Sequence, residues 1–299
     1  MDGILPLNKS RGMTSHDAVF KCRKIFKTRK VGHSGTLDPN VDGVLPICIG
    51  KATKTVNYLM ESGKIYKGEI ILGFSTETED LDGKVVEEVA VKEPFSQEQI
   101  DSAMQKLTGE ITQIPPMYSA VKVNGRRLYE YARAGEMVER PKRKITVESF
   151  VQIKPSVYDD EKKQQTIYFE VACGKGTYVR TLAFDLGKIL GIPAVMSDLT
   201  RLKSGGFTLD QAVTLEQLEN ASEEELKNYL YPLEHAFSQY SKYELDEKQW
   251  QKVQNGGFLP ANIAKEEKLL LTYAGKVRAL YYHDLKKHIF RAEQMLDLS

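Results

Sequence analysis

Asp38 stands in a loop punctuated by glycines, Gly32-His33-Ser34-Gly35-Thr36-Leu37-Asp38-Pro39, which continues through Gly43 and Gly50 to Lys51-Ala52-Thr53-Lys54 and holds one other acid, Asp42. Glycines permit backbone angles that other residues resist, and Pro39 turns the residue before it from helical toward extended geometry. The loop therefore presents a carboxylate on a shaped backbone, and Asp38 is the leading reactive group of the chain. On these residues alone the reading stops at a presented carboxylate, compatible with many chemistries. Arg180 supplies a possible partner. If Thr177 caps a helix, Arg180 falls in its first turn, where the helix dipole disfavours a cation by about 0.3 to 1 kcal/mol. A carboxylate would compensate and would stay ionised beside it, and the Asp38 loop offers its acid no lysine or arginine before Lys51. The competing reading is a surface arginine, since arginines are mostly exposed.

Three other patterns imitate functional motifs and fail on spacing. Gly174-Lys175-Gly176-Thr177 lacks the G-x-x-x-x-G-K-[ST] arrangement of a phosphate loop and reads as a strand-to-helix turn. Glu77-Thr78-Glu79-Asp80-Leu81-Asp82-Gly83 lacks the spacing and final glutamate of a calcium loop and reads as an acidic turn. His16, His33, His235, His283 and His288 show no paired ligand spacing, so no metal is expected. Cys22, Cys48 and Cys173 are odd in number and far apart, which fits a reducing compartment better than a disulfide framework.

The formal net charge of +1 conceals strong segregation. Lys21, Arg23, Lys24, Lys27, Arg29 and Lys30 lie together with no acid among them, directly before the Gly32 loop. Between Lys122 and Lys144, Lys122, Arg126, Arg127, Arg133, Arg140, Lys142, Arg143 and Lys144 face only Glu130, Glu136 and Glu139, with Tyr118, Tyr129 and Tyr131 interleaved or close by. Local charge of this kind, combined with aromatics, suits a nucleic-acid surface. The competing reading is a solvated face matched by acids folded alongside.

The elements that position these groups are mixed. Thr14 and Asp17 form a capping-box pattern before a helix expected over Ser15 to Lys27. Lys64 to Leu72 reads as a strand carrying Tyr66, Ser96 caps a helix to about Leu107, and Gln165 to Cys173 is a strand leading into a helix that ends near Gly191. Asn124-Gly125 marks a tight hairpin turn projecting Arg126 and Arg127. Thr214 to Leu230 reads as one polar, acidic helix, and from about Tyr240 short apolar runs between glycines suggest a small β-rich domain. With 299 residues and 41% hydrophobic content, two unequal domains are expected. No stretch approaches signal-peptide or membrane-helix length, so the chain reads as soluble and cytoplasmic.

These segments resemble the TruB-type tRNA pseudouridine synthases, the pseudouridine-55 synthases that isomerise the T-loop uridine, over nearly the whole chain. Gly32 to Pro39 and Gly43-Val44-Leu45-Pro46 resemble the catalytic-loop signature, with serine where threonine is common. Tyr66-Lys67-Gly68-Glu69 with Leu72-Gly73 and Thr76-Glu77-Thr78 resembles the tyrosine strand, and Pro116-Met117-Tyr118-Ser119-Ala120 the motif before an RNA-gripping insertion. Lys175 to Arg180 resembles the arginine motif, and Asp198-Leu199-Thr200-Arg201 through Ser204-Gly205 the leucine segment closing the uracil pocket. The tail is similar to a PUA domain, a small RNA-binding barrel. Two stretches depart from the pattern: Asn8-Lys9-Ser10 lacks the proline common in the first motif, and Asn40-Val41-Asp42 varies the residues after the catalytic aspartate.

The resemblance implies an α+β fold. Residues 1–239 would form the pseudouridine synthase catalytic domain, a mixed, mainly antiparallel sheet with flanking helices and an insertion at about 124–150, and residues 240–299 the PUA-like domain. It implies uridine isomerisation by base flipping, with Asp38 forming a transient covalent adduct, Tyr66 under the ring, Leu199 on its opposite face, Tyr178 lining the pocket and Arg180 paired with Asp38. His33 would fill the gap in the RNA or stack within the loop. Lys24, Lys27, Lys30, Arg126, Arg127 and Arg133 would hold the tRNA T arm, with no cofactor, no guide RNA and a monomeric enzyme. Two other classes compete: a glycoside hydrolase, for which Asp42 is the one nearby second acid, and a non-catalytic RNA-binding or tRNA-folding protein.

Overall fold

Strict alternation builds the centre of the molecule. Along Gln164–Cys173 every second residue is buried, the period-two signature of a strand. This strand pairs in antiparallel register with Lys64–Leu72 on one side and Arg143–Asp159 on the other. The computed structural model describes residues 1–296, and in it these strands belong to a nine-stranded sheet. Its main path runs Gly3–Lys9, Asp42–Ile49, Ala194–Ser204, Lys64–Leu72, Gln164–Cys173, Arg143–Asp159 and Gly109–Gln113. All neighbours on that path are antiparallel except Asp42–Ile49 and Ala194–Ser204, which run parallel. The expected mixed, mainly antiparallel sheet is therefore present.

Helices Ser15–Ile25, Gln97–Lys106 and Val179–Leu190 contribute buried apolar residues to the core that covers the sheet, among them Val19, Ile100 and Leu182. The first two begin in capping boxes, Thr14 with Asp17 and Ser96 with Gln99. The third ends at Gly191 with φ +74°, a left-handed stop.

Three boundaries differ from the sequence reading. The first helix ends at Ile25, short of Lys27, because Phe26 caps it and Lys27 takes φ +49°, which no right-handed helix continues through. Thr214 to Leu230 is two helices, Leu215–Glu219 and Glu223–Asn228: a capping box of Ser222 with Glu225 starts a new helix where a single one was expected. Tyr178, not Thr177, caps the Val179–Leu190 helix, and the Thr177 hydroxyl instead donates to the Gly174 carbonyl at 3.1 Å.

The Asn124-Gly125 turn joins Lys122–Val123 to Arg126–Arg127, with φ of +50° and +83° at its two central residues, as a tight hairpin requires. Helix Leu128–Ala134 follows it, and from Arg143 the chain is back in the main sheet. The tail is β-rich: Ser241–Glu244, Lys268–Tyr273, Lys276–Asp284, Ile289–Met295 and Leu259–Pro260 form a five-stranded sheet with helix Glu247–Val253. Its Leu270, Val277 and Leu280 share a buried cluster with Ile4, Val44, Cys48, Phe207 and Phe237, so the tail is docked against the larger sheet. Among the described residues no helix is long and apolar enough to cross a membrane.

Candidate active site

A cleft of about 420 Å³ opens over the middle of the large sheet, lined by Asp38, Tyr66, Tyr178, Arg180, Leu199 and Arg201 among others. The sheet register brings three of them together. Arg201 pairs with Tyr66 and Leu199 with Gly68 across neighbouring strands. Gly68 must be glycine, because a Cβ there would lie 2.3 Å from the Asp198 carbonyl and 3.0 Å from the Leu199 side chain.

Asp38 is fixed by its neighbours on both sides. The buried Ser15 hydroxyl accepts from the Leu37 amide at 2.9 Å and lies 3.1 Å from the Leu37 carbonyl, to which it donates. The Pro39 carbonyl accepts from the Gly12 amide at 3.0 Å and from the Lys9 ammonium at 3.3 Å. Lys9 is fully buried and also donates to the carbonyls of Ser10 and Met13, while burial pulls its pKa down to about 8. Arg201, 1% exposed, braces the same loop from within by donating to the carbonyls of Val44 at 2.7 Å and Gly35 at 3.3 Å.

The Asp38 carboxylate meets Arg180: Oδ2 lies 3.1 Å from Nε. Arg180 itself is buried and held by three further groups. It donates to the carbonyls of Thr78 at 2.8 Å and Tyr118 at 3.1 Å, and its Nη1 lies 3.4 Å from Asp80 Oδ2. The acidic turn around Glu77 to Gly83 is thus the arginine's seat. Asp80 is locked in turn by the Thr78 hydroxyl at 2.5 Å and the Asp82 amide at 3.0 Å. Burial raises the Asp80 carboxyl, opposed by those hydrogen bonds and by Arg180. Glu79, buried with φ +64°, accepts from the Thr181 hydroxyl at 2.6 Å, and burial raises its pKa too. A non-glycine residue held in this left-handed region beside a site is strain that the surrounding bonds maintain.

Tyr66 is 7% exposed, and burial pushes its phenol up, against the opposing pull of Arg201. Tyr178 is positioned through its backbone: the Gln113 side chain donates to its carbonyl at 3.0 Å and accepts from its amide at 2.8 Å. His33 does not line the cleft. It sits in the short strand Val31–His33, edge-on to His16 at 6.2 Å between ring centres, and burial lowers its pKa. Asp42 is taken by Arg11 at 3.2 Å. Among the described residues no three His, Cys, Asp or Glu side chains are grouped so as to hold a metal ion.

The basic residues are exposed on two surfaces. Lys24 lies on the first helix, its ammonium 4.6 Å from the ring centre of the exposed Phe20, with Lys27 and Lys30 following. Arg127 and Arg133 both lie against Tyr129, at 5.8 and 5.3 Å, and Tyr129 lines the cleft. Arg126 instead pairs with Glu136 at 2.7 Å and covers Tyr131.

Comparison with known proteins identifies the family. The model of the TruB family pseudouridylate synthase N-terminal domain matches residues 23–179, and that of the tRNA pseudouridylate synthase B C-terminal domain matches residues 180–238. The chain belongs to the TruB family of pseudouridylate synthases. It is 61% identical over 302 residues to tRNA pseudouridine synthase B of Ligilactobacillus salivarius, covering 100% of both chains. It is 57% identical to the protein of the same name from Pediococcus pentosaceus, covering 99% of each. Among solved structures it is similar to a chain in a crystal structure of a Cbf5-Nop10-Gar1 complex, with a TM-score of 0.71 and 26% identity over 99% of this chain and 85% of that one. A further likeness, 23% identical with a TM-score of 0.70, is to a chain in an H/ACA RNP bound to a substrate RNA, and it speaks for the shared fold.

The residues that sequence reasoning passed over are those acting through others: Ser15, Lys9, Gln113, Asp80 and Arg201. Arg201 lies within the Asp198-Leu199-Thr200-Arg201 segment and Lys9 within Asn8-Lys9-Ser10, but their burial, which makes them braces of the Asp38 loop, is a property of the fold and not of the local sequence.

Proposed function

We propose that this enzyme converts the T-loop uridine at position 55 of tRNA into pseudouridine, and that Asp38 forms a transient covalent adduct with the flipped nucleotide. The observation that carries this reading is the Asp38–Arg180 ion pair at 3.1 Å in a cleft also lined by Tyr66 and Leu199. In the reaction the bond from ribose C1′ to base N1 breaks, the base turns, and a bond from C1′ to C5 forms. The C5 proton leaves and N1 gains one, so nothing is oxidised, reduced or hydrolysed, and the chemistry calls for no cofactor. A carboxylate nucleophile splits such a step into two easier ones.

The detached base must be kept from diffusing away, and a flipped nucleotide costs a few kcal/mol of stacking that the pocket has to return. Tyr66 serves as the platform beneath the ring, with Leu199 on its other face and Tyr178 at the wall. Burial raises the Tyr66 phenol, so the ring is presented to the base as the neutral hydroxyl form. His33, neutral and outside the cleft, is suited to filling the space in the RNA stack.

Lys24, Lys27, Lys30, Arg126, Arg127 and Arg133 hold the T arm through its phosphates, and the β-rich tail from about residue 240 acts as a PUA-like RNA-binding unit. The enzyme works as a monomer in the cytoplasm, without a guide RNA. The test is Asp38→Asn, assayed with unmodified tRNA carrying tritium at uridine C5. The variant should bind the tRNA and release no tritium, and retained turnover would remove Asp38 from the nucleophile role. Free uracil among the products would instead favour a hydrolase.

A further inference from the structure

The large sheet has a narrow seam directly beside the cleft. Ala194–Ser204 pairs with Lys64–Leu72 at eight positions, but with Asp42–Ile49 at only two, Thr200 with Asp42 and Arg201 with Gly43. One lip of that seam continues from the Asp38 loop, and the other carries Leu199. With so short a backbone ladder, the separation of the two strands rests largely on side-chain ties, of which the buried Arg201 bond to the Val44 carbonyl at 2.7 Å is one.

Arg11 spans the seam. Its Nη1 lies 2.5 Å from Asp198 Oδ1 and its Nε 3.2 Å from Asp42 Oδ2, and its Nη2 reaches Asp42 Oδ1 and the Leu199 carbonyl at 3.5 Å each. Both strands of the seam, one through Asp42 and the other through Asp198 and the Leu199 carbonyl, are therefore tied to one planar guanidinium. The backbone that carries Arg11 is tied in as well, since Lys9 and Gly12 hold the Pro39 carbonyl.

We infer that Arg11 is a positioning residue that sets the separation between the Asp38 loop and Leu199, and so the width of the slot holding the detached base; this rests on the reaction proposed above. The three side chains of the bracket are a third to a half exposed, at 45% for Arg11, 32% for Asp42 and 35% for Asp198. Ion pairs at that exposure contribute little to stability. Geometry is different, because a misplacement of about 1 Å at reacting groups can cost about a hundredfold in rate.

The experiment compares wild type, Arg11→Met, Arg11→Lys and the double variant Asp42→Asn/Asp198→Asn on unmodified tRNA, measuring single-turnover pseudouridine formation and tRNA affinity separately. Arg11→Met should lose about tenfold or more in single-turnover rate, with affinity within about twofold and little change in melting temperature. Arg11→Lys should recover part of the rate, since one ammonium cannot reproduce the planar fork. The double variant should match Arg11→Met, and adding Arg11→Met to it should cost nothing more. An Arg11→Met rate equal to wild type, or a loss confined to affinity, overturns the bracket alone. A wild-type enzyme that makes no pseudouridine overturns the underlying reading and the bracket with it.

Discussion

Asp80 Oδ2 lies 3.4 Å from Arg180 Nη1, on the same guanidinium whose Nε holds Asp38 at 3.1 Å. The arginine is thereby seated before any nucleotide arrives, and Asp38 is the more exposed of its two carboxylate partners, at 43% against 14%. Asp80→Asn should keep the turn but loosen that seat. The expected result is a single-turnover rate lower by about tenfold with tRNA affinity unchanged, consistent with the weight of charge-assisted bonds at buried sites. Arg180→Lys should be worse, by about a hundredfold or more, because lysine cannot serve two carboxylates and two carbonyls at once. Rapid-quench kinetics with a parallel binding measurement checks both; equal rates for wild type and Asp80→Asn would detach Asp80 from catalysis.

How far the sequence carried this picture depends on the range of the interactions. Local chemistry was legible: capping boxes at Thr14 and Ser96, the Asn124-Gly125 turn and the alternation of Gln164–Cys173 each reside in a few consecutive residues. The pairing of Asp38 with Arg180 was inferable because a loop acid without a local cation and a cation at a helix start each lack a partner. What stayed hidden was the seating of that pair, since Asp80 is 100 residues from Arg180 and its acidic turn looked complete in itself. Residues 214 to 230 show the opposite error: uniform polarity suggested one helix, and the Ser222 cap that divides it is a single side chain.

Lys64 lines the cleft and is nearly buried, its ammonium donating to the carbonyls of Met60 and Ser62 at 3.1 and 3.2 Å. Burial lowers its pKa from 10.5 to about 8. Between those values the unfolded chain keeps a proton that the folded chain has released, so stability attributable to this group rises with pH across the window. Below about pH 8 both states are charged and the burial penalty is at its full value. The stability of wild type relative to Lys64→Met should therefore climb between about pH 8 and 10, by at most about 3 kcal/mol. Thermal melts of both proteins at closely spaced pH values measure this; a flat difference would mean the ammonium is solvated.

Gly43 has φ +106°, and a Cβ there would lie 2.2 Å from the Arg201 carbonyl, on the strand that carries Leu199. Both the backbone angle and the contact oppose any side chain, and the clash is with backbone, which cannot swing away. Gly43→Ala should destabilise by about 3 kcal/mol, or roughly 5 to 10 °C in a chain of this size, and should widen the seam beside the cleft. Gly176→Ala is the control: φ is also positive, at +86°, but nothing lies within 4 Å of the added Cβ, so the cost should be smaller. Calorimetry ranks the two, and equal losses would show that the angle alone matters.

The basic surfaces should not contribute equally to RNA binding. Arg126 already has a carboxylate partner in Glu136 at 2.7 Å and lies over Tyr131, whereas Arg127 and Arg133 lie against Tyr129, at the edge of the cleft. For Arg126 to contact a phosphate it must give up Glu136 or share its charge, so its net gain is small. Replacing Lys24, Lys27 and Lys30 together by alanine should weaken tRNA binding and reduce the salt slope of the association constant by about 2 to 3. Arg127→Ala/Arg133→Ala should reduce it by about 1 to 2, and Arg126→Ala by less than either of its neighbours. Single-turnover rates at saturating enzyme should stay near wild type in the lysine variant, because none of those side chains lines the cleft. Binding titrations across a range of salt concentrations decide the ranking. An Arg126→Ala slope change as large as that of Arg133→Ala would show that RNA displaces Glu136 from its arginine.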